Sequence, residues 1–308
     1  MVDCIVTTVE EVQSYTPKDC ASTLTRDFTP DHYITGIKSL CDLHKPLLVY
    51  CTKPIQEMLT QHLEDKVQRL PVFINKTSKD MNPYFNEIFE YSKKIVDRNP
   101  KGVYGWNPML TTGKLFYMLD AVERGYQNIV WVDAGLSNES YLPEEHGGTW
   151  HDVKVQDWNK MYPTNKTCIF NPELGSRIFN LFRKHSNFMI GITYVGTEPG
   201  DFIRDYWNRE IDYWSASGGL MGLTKQKALS IKEMYISALL YYIARYDRIF
   251  TEIELFTFLN VHFDFGKILF NKFDPSTEKG TIYDLLKNKI NTKNISFNDE
   301  IRSNNTNI

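Results

Sequence analysis

The chain has 308 residues, 42% of them hydrophobic and 24% charged, an ordinary globular balance with ample length for a sizeable core. A formal net charge of −3 and the lack of any Lys/Arg run argue against nucleic acid or an anionic membrane surface as a partner. No stretch approaches the roughly 18 apolar residues of a membrane span. The N-terminus carries no basic segment leading into an apolar one, so neither an integral membrane segment nor a secretory leader is expected.

The cysteines (Cys4, Cys20, Cys41, Cys51 and Cys168) are scattered without CxxC pairs. An odd, unpatterned set fits a reduced compartment better than a disulfide framework or a zinc site, and a cytoplasmic location is expected. Sequons such as Asn75-Lys76-Thr77 and Asn294-Ile295-Ser296 weigh little in a chain rich in Asn, Lys and Ile.

Along the chain, apolar runs alternate with helical patterns, which predicts an α/β fold with a largely parallel sheet. The first strand is expected at Cys4–Val9, followed by a helix over residues 31–43 that ends before Lys45-Pro46. Leu47–Cys51 reads as a second buried strand, 54–63 as a helix and 72–75 as a third strand. Residues 83–96 form an amphipathic pattern with Phe85, Ile88, Phe89 and Ser92 on one face. Thr111 or Thr112 then caps a helix in which Leu115, Met118, Leu119 and Val122 recur at helical spacing, closed by Gly125. The run Ile129-Val130-Trp131-Val132 follows without polar alternation, the pattern of a strand buried on both faces. It stops at Asp133-Ala134-Gly135.

Residues 137–160 are polar, hold two histidines and Gly147-Gly148, and read as a long loop or lid. Further strands are expected at 168–170 and Phe188–Tyr194, and a turn at Ser217-Gly218-Gly219. A long helix over 225–246 spaces Ile231, Tyr235, Ala238 and Tyr242 by four, three and four. Thr251 caps a last helix running to Leu259. From Asp274 the composition turns polar and charged, so one domain over 1–273 with a flexible polar extension over 274–308 is the simplest organisation.

Asp133 is the first candidate for chemistry. In open parallel sheets, ligands bind outside the carboxyl ends of the strands. An aspartate there, directly after a dry strand, loses hydration unless a cation or donor compensates. A divalent cation bridging it to a diphosphate would supply that charge, and Ala134 and Gly135 let a bulky ligand approach the backbone. The plainer alternative is a turn or helix-cap aspartate.

Asn107-Pro108, Lys114-Leu115-Phe116 and Trp131-Val132-Asp133-Ala134-Gly135 together resemble the HtrL/YibB-like family of glycosyltransferases. Ser217-Gly218-Gly219-Leu220-Met221-Gly222 looks like that family's glycine segment, and Thr251-Glu252-Ile253-Glu254 sits where it carries an acidic pair. The similarity runs in order over roughly residues 107–270. It implies a GT-A-like fold, with a central, mostly parallel mixed sheet flanked by helices. It also implies a nucleoside diphosphate sugar donor, UDP- or GDP-linked, a glycan or other hydroxyl acceptor, and Mn²⁺ or Mg²⁺.

One departure stands out. GT-A enzymes typically carry Asp-x-Asp, whereas here only Asp133 is present, in Asp133-Ala134-Gly135. The resemblance places His262 as a late metal ligand beside Asp133, although a histidine among aromatics is commonly a hydrogen-bonded structural residue. Lys114 is expected to pair with Asp133, a phosphate or a sugar hydroxyl; the alternative is a snorkelling surface lysine. Thr7, Thr8 and Val9, at the end of the first strand, occupy the position where such proteins meet the base and ribose. Gly218 and Gly219 would lie against the sugar or phosphate, or form only a turn. Glu252 or Glu254 is a candidate general base, and as an alternative Glu252 is a first-turn acid after the Thr251 cap. His146 and His151, with Glu144, Glu145 and Asp152, match no zinc spacing and read as a solvated loop.

The expectation is therefore a hexosyl- or pentosyltransferase using a nucleotide sugar. Two rivals remain. A sugar nucleotidyltransferase would need a glycine-rich basic loop after the first strand, which residues 7–13 lack. A non-catalytic carbohydrate-binding protein on the same fold would account for the single aspartate.

Overall fold

The computed structural model describes residues 2–10, 30–64, 66–98, 108–134, 179, 182–183, 187–194, 217–245, 250–252, 254–256, 259 and 267–273. Seven strands form one sheet: β1 (Cys4–Val9), β2 (Leu47–Cys51), β3 (Val72–Ile74), β4 (Asn128–Val132), β5 (Phe188–Tyr194), β6 (Ser217–Thr224) and β7 (Lys267–Phe273). Their order is β3-β2-β1-β4-β6-β5-β7. The β1–β2, β1–β4, β2–β3 and β5–β7 pairs are parallel, while β6 runs antiparallel to both β4 and β5. The expected α/β architecture with a mostly parallel mixed sheet is thus present.

The side-chain alternation of the central strands divides the core. Cys4 and Val6 of β1, Leu48 and Tyr50 of β2, and Ile129 and Trp131 of β4 face one layer. That layer contains α4 (Phe85–Arg98), α6 (Lys114–Glu123) and α7 (Lys225–Arg245). Ile5, Val9, Val49, Val130, Val132 and Ala134 face the other, built from α1 (Pro30–Cys41) and α2 (Lys53–Leu63). A strand covered on both faces needs no polar positions, which is why β4 reads as an unbroken apolar run. On α4, Phe85, Ile88 and Ser92 are buried as their spacing predicts, Ile95 extends the same buried face, and Phe89 packs at the margin. On α7, Ile231, Tyr235, Ala238 and Tyr242 form the buried stripe.

The helix before β4 departs from expectation at its start. A short turn, α5 (Pro108–Thr111), precedes it, after α3 (Ser78–Met81) earlier in the chain, and Gly113 rather than a threonine occupies its N-cap. Thr112 Oγ1 instead donates to the Pro108 carbonyl at 2.5 Å and accepts from Asn82 Nδ2 at 3.2 Å, so its hydroxyl is spent on α5. Thr111 is buried, and its Oγ1 finds no partner among the described residues. A Cβ on Gly113 would lie 3.1 Å from the Leu110 carbonyl oxygen, so glycine lets α6 start directly against α5. At the other end Gly125 adopts φ 101°, with Gly125 N–H on Val122 O and Tyr126 N–H on Ala121 O. That is a Schellman closure, as the sequence predicts.

The turn expected at Ser217-Gly218-Gly219 is instead the opening of β6. Its ladder to β4 is regular, with Val132 opposite Leu220. The ladder to β5 shifts, pairing Met189 with Met221 but Ile190 with Ser217. Glycines in a strand commonly mark such an irregularity, because the backbone must bend without a side chain to place. The loop at 137–160, the strand at 168–170 and the extension over 274–308 lie outside the described residues. Among the described residues, no helix is long and apolar enough to cross a membrane.

Candidate active site

The carboxyl ends of β1, β2, β3 and β4 lie along one edge of the sheet, and the N-terminal end of antiparallel β6 joins them. Asp133 stands on that edge directly after β4, its backbone N–H donating to Gly219 O at 2.9 Å. By strand alternation its side chain shares the face of Trp131, and Trp131 Nε1–H donates to Asp133 Oδ1 at 2.6 Å.

Lys114, the first residue of α6, reaches the same carboxylate. Its Nζ lies 3.0 Å from Asp133 Oδ1 and 3.1 Å from Oδ2, and 5.6 Å from the Trp131 ring centroid. It also lies 2.7 Å from Glu252 Oε1. Side-chain exposure separates the three: 5% for Lys114, 4% for Glu252 and 31% for Asp133. Lys114 is therefore a buried ion-pair centre and does not snorkel. Burial alone would lower its pKa, but the Asp133 and Glu252 carboxylates outweigh that and hold it above the ordinary lysine value. Glu252 Oε2 is buried with no hydrogen-bond partner among the described residues. Tyr235 lies in the same region, but its hydroxyl donates to Thr112 O at 3.0 Å. Burial, and then the Glu252 charge, push that phenol well above its usual range.

The other expected residues fall differently. Glu254 Oε2 accepts from Thr251 N–H at 2.8 Å and from Thr251 Oγ1 at 2.7 Å, so the Glu254 carboxylate reaches back to the residue three before it, as at a helix start. Thr7, Thr8 and Val9 are inside β1 and buried. Val9 packs with Val132 and Ala134 in the core, and Thr8 Oγ1 is engaged by Glu10 Oε1 at 2.9 Å and Tyr50 O at 3.0 Å. Thr7 Oγ1 has no partner among the described residues. Gly218 and Gly219 reach the edge beside Asp133 as strand backbone. Gly135, His262, His146 and His151 lie outside the described residues.

Sequence reasoning passed over two features. One is Trp131, whose indole and ring engage Asp133 and Lys114; its position two residues before Asp133, on the same strand face, is the signal. The other is Glu10, 4% exposed, which ends β1 as Asp133 ends β4. Glu10 Oε1 accepts from Ser78 N–H and Oγ at 3.1 Å each and from the Tyr117 hydroxyl, and its Oε2 accepts from Ser78 N–H at 3.0 Å. It thereby ties β1 to α3 and α6. Beneath it Asp120 gathers Tyr50 Oη at 2.7 Å, Lys76 Nζ at 2.8 Å and Arg124 Nε at 2.6 Å.

The divalent cation implied by the family resemblance meets a minimal donor set. Among the described residues, no group of three or more His, Cys, Asp and Glu side chains is gathered to hold a metal. Asp133 Oδ1 already accepts from Trp131 and Lys114, whereas Oδ2 accepts from Lys114 and keeps a lone pair on a partly exposed side chain. One such oxygen suits Mg²⁺ or Mn²⁺ carried by a diphosphate, which needs only one or two protein carboxylates.

No protein-family model and no curated protein matches the sequence. Among solved structures, the chain is similar to a protein described as a nucleotide-diphospho-sugar transferase from Desulfovibrio desulfuricans, at 10% identity over 99% of this chain and 96% of that one, TM-score 0.37. It is also similar to 4-diphosphocytidyl-2C-methyl-D-erythritol synthase from Anaerococcus prevotii, at 11% identity over 98% and 96%, TM-score 0.37. Mouse xyloside xylosyltransferase aligns at 10% identity over 84% of this chain and 82% of that one, TM-score 0.38. Likenesses this distant do not bear on the reaction, and none of the comparisons reaches the HtrL/YibB-like family itself.

Proposed function

We propose that the protein is a glycosyltransferase that moves a hexose or pentose from a nucleoside diphosphate sugar to a hydroxyl of a glycan or related acceptor. The observation that carries this reading is the half-open Asp133 carboxylate on the carboxyl edge of the sheet, gripped from behind by a buried lysine and an indole. In the transfer, the bond between the anomeric carbon and the diphosphate breaks, one to the acceptor oxygen forms, and the acceptor's hydroxyl proton passes to the departing diphosphate or to solvent. Asp133 Oδ2 presents the remaining acceptor lone pair to the ligand. Lys114 and Trp131 fix its direction, so little reorganisation is needed when charge develops. The Gly218-Gly219 backbone borders Asp133 without side chains and leaves room for a sugar. Glu252 acts through Lys114, and Glu254 on the helix start. A divalent cation bound at Asp133 would stabilise the departing diphosphate.

The test is incubation of the purified protein with a panel of UDP- and GDP-sugars and Mn²⁺. The expected result is slow donor hydrolysis with at least one sugar, lost in Asp133→Ala. Absence of both binding and hydrolysis across the panel refutes the proposal. Binding of free glycan that is indifferent to Asp133→Ala would support the carbohydrate-binding alternative instead.

A further inference from the structure

Asp133 is partly exposed, so the groups behind it must fix the direction in which Oδ2 faces a ligand. Trp131 does part of this from the strand face, because its indole N–H donates to Oδ1 at 2.6 Å. The outer torsion of a tryptophan side chain has broad minima, however, so that N–H aims only as well as the ring is held. A group that orients a reacting residue must itself be locked by packing and hydrogen bonds.

The lock lies on α6. Tyr117, one helical turn after Lys114, packs its ring against Trp131 with centroids 5.8 Å apart, and it also meets Tyr50 edge-on at 4.8 Å. Its hydroxyl donates to Glu10 Oε1 and lies 3.0 Å from Ser78 Oγ. Glu10 is held in turn by Thr8 Oγ1 at 2.9 Å and by the N–H and Oγ of Ser78 at 3.1 Å each. Strands β1 and β4 are parallel neighbours with Val6 opposite Trp131, so Glu10 and Asp133 end adjacent strands on one sheet face. Packing alone does not call for this arrangement. Phenylalanine at position 117 would keep both ring contacts without the desolvation of a phenol and a carboxylate. What the hydroxyl adds is a charge-assisted bond that holds the ring in one place.

We infer that Tyr117, clamped by Glu10, is a positioning residue: it holds the Trp131 indole and, through it, the direction of the Asp133 carboxylate. Lys114 grips the same carboxylate from the start of α6, so one helix governs both contacts. The inference rests on Asp133 being the ligand-facing group of the proposed transferase. Its first readout needs no substrate, so its failure is distinguishable from failure of that reading.

The experiment follows hydrogen exchange of the Trp131 indole N–H by NMR of the full chain, because exchange from the folded state reports how often that bond opens. W131F identifies the signal among those of the six tryptophans. Y117F keeps the ring and removes the grip, and it is expected to quicken exchange about fivefold, the effect of losing one hydrogen bond. E10Q, which leaves a weaker acceptor, is expected to quicken it about threefold. The double variant Y117F/E10Q should match Y117F, because both changes break one contact. I37V trims the opposite core layer at a comparable cost in stability and should leave the signal unchanged, which separates positioning from a merely structural role. With a donor sugar that is turned over, Y117F should lower kcat about fivefold and leave KM within about twofold. The inference is overturned if exchange in Y117F is as slow as in the unmodified protein, or if I37V quickens it equally. It is equally overturned if the effects of Y117F and E10Q add, or if Y117F turns a donor over at the unmodified rate. Should Y117F not fold, E10Q against I37V decides by the same criterion.

Discussion

Replacing Lys114 with methionine tests whether the ion pair at the sheet edge behaves as a buried one. Methionine keeps most of the apolar stem and removes the ammonium, so packing against α6's neighbours is largely retained. Three terms decide the outcome. Glu252, at 4% side-chain exposure, would lose its only charged partner among the described residues, and stranding a buried charge costs about 3–5 kcal/mol. Asp133 is 31% exposed, so water replaces much of what it loses and its share is about 0–1 kcal/mol. The contact with the Trp131 ring, 5.6 Å from the ammonium, adds about 0.5–1 kcal/mol. Against these stands relief of the ammonium's own desolvation, leaving a net loss of about 3 kcal/mol at pH 7. Equilibrium urea unfolding followed by circular dichroism measures it, and E252Q added to K114M should recover most of the loss. The raised Lys114 pKa fixes the pH dependence. This stabilisation is full below the ordinary lysine value of about 10.4 and is lost as pH rises through the higher folded value. A loss under about 1 kcal/mol, or a double variant no more stable than K114M, would refute the buried-pair argument.

Two further outcomes follow from buried titratable groups. Burial first, and then Asp3, Asp42 and Glu10 respectively, push the Cys4, Cys41 and Cys51 thiols up to about 12. The folded state therefore binds those protons more tightly, and stability should fall as pH rises from about 9 towards 12, with a shallower fall in C4A/C51A by the same urea assay. Asp120 is opposite in sign: burial raises its pKa, but hydrogen bonds from Lys76, Arg124 and Tyr50 lower it more. D120N should cost about 2 kcal/mol at pH 7, a figure held down by the 43% and 39% exposure of Lys76 and Arg124. The difference from the unmodified protein should vanish as pH falls below about 3.9 and through the lower folded value; a pH-independent difference would contradict the charge argument.

The sequence was most legible where a pattern had a single physical cause. A strand dry on both faces leaves an unbroken apolar run, so β4 and the placement of Asp133 after it could be read directly. The stripe on α7 and the glycine after α6 were equally direct. What local pattern did not reveal depended on partners distant in the chain. Gly218 and Gly219 looked like a turn because strand preference is weak in glycine, yet pairing with β4 makes them strand. Thr112 looked like a cap because its rival partner, the Pro108 carbonyl, exists only once α5 has formed. Glu252 and Glu254 were indistinguishable by type; one meets Lys114 and the other Thr251. Glu10 followed the same rule as Asp133, a carboxylate directly after a buried strand, but lacked a motif to draw attention to it.

The antiparallel strand β6 also bears on how the edge is assembled. Strands β1 to β4 and the helices between them come from one continuous stretch ending at Val132, so their contacts close comparatively short loops. Pairing of Val132 with Leu220 must wait for the chain between them to close on itself, and such long-range pairing is intrinsically slow. A nascent chain that has folded its first four strands would already hold Lys114 against Asp133, with neither Gly219 nor Glu252 in place. Completion of the ion-pair centre at the sheet edge would then be a late event in folding, because Glu252 follows β6 in the chain.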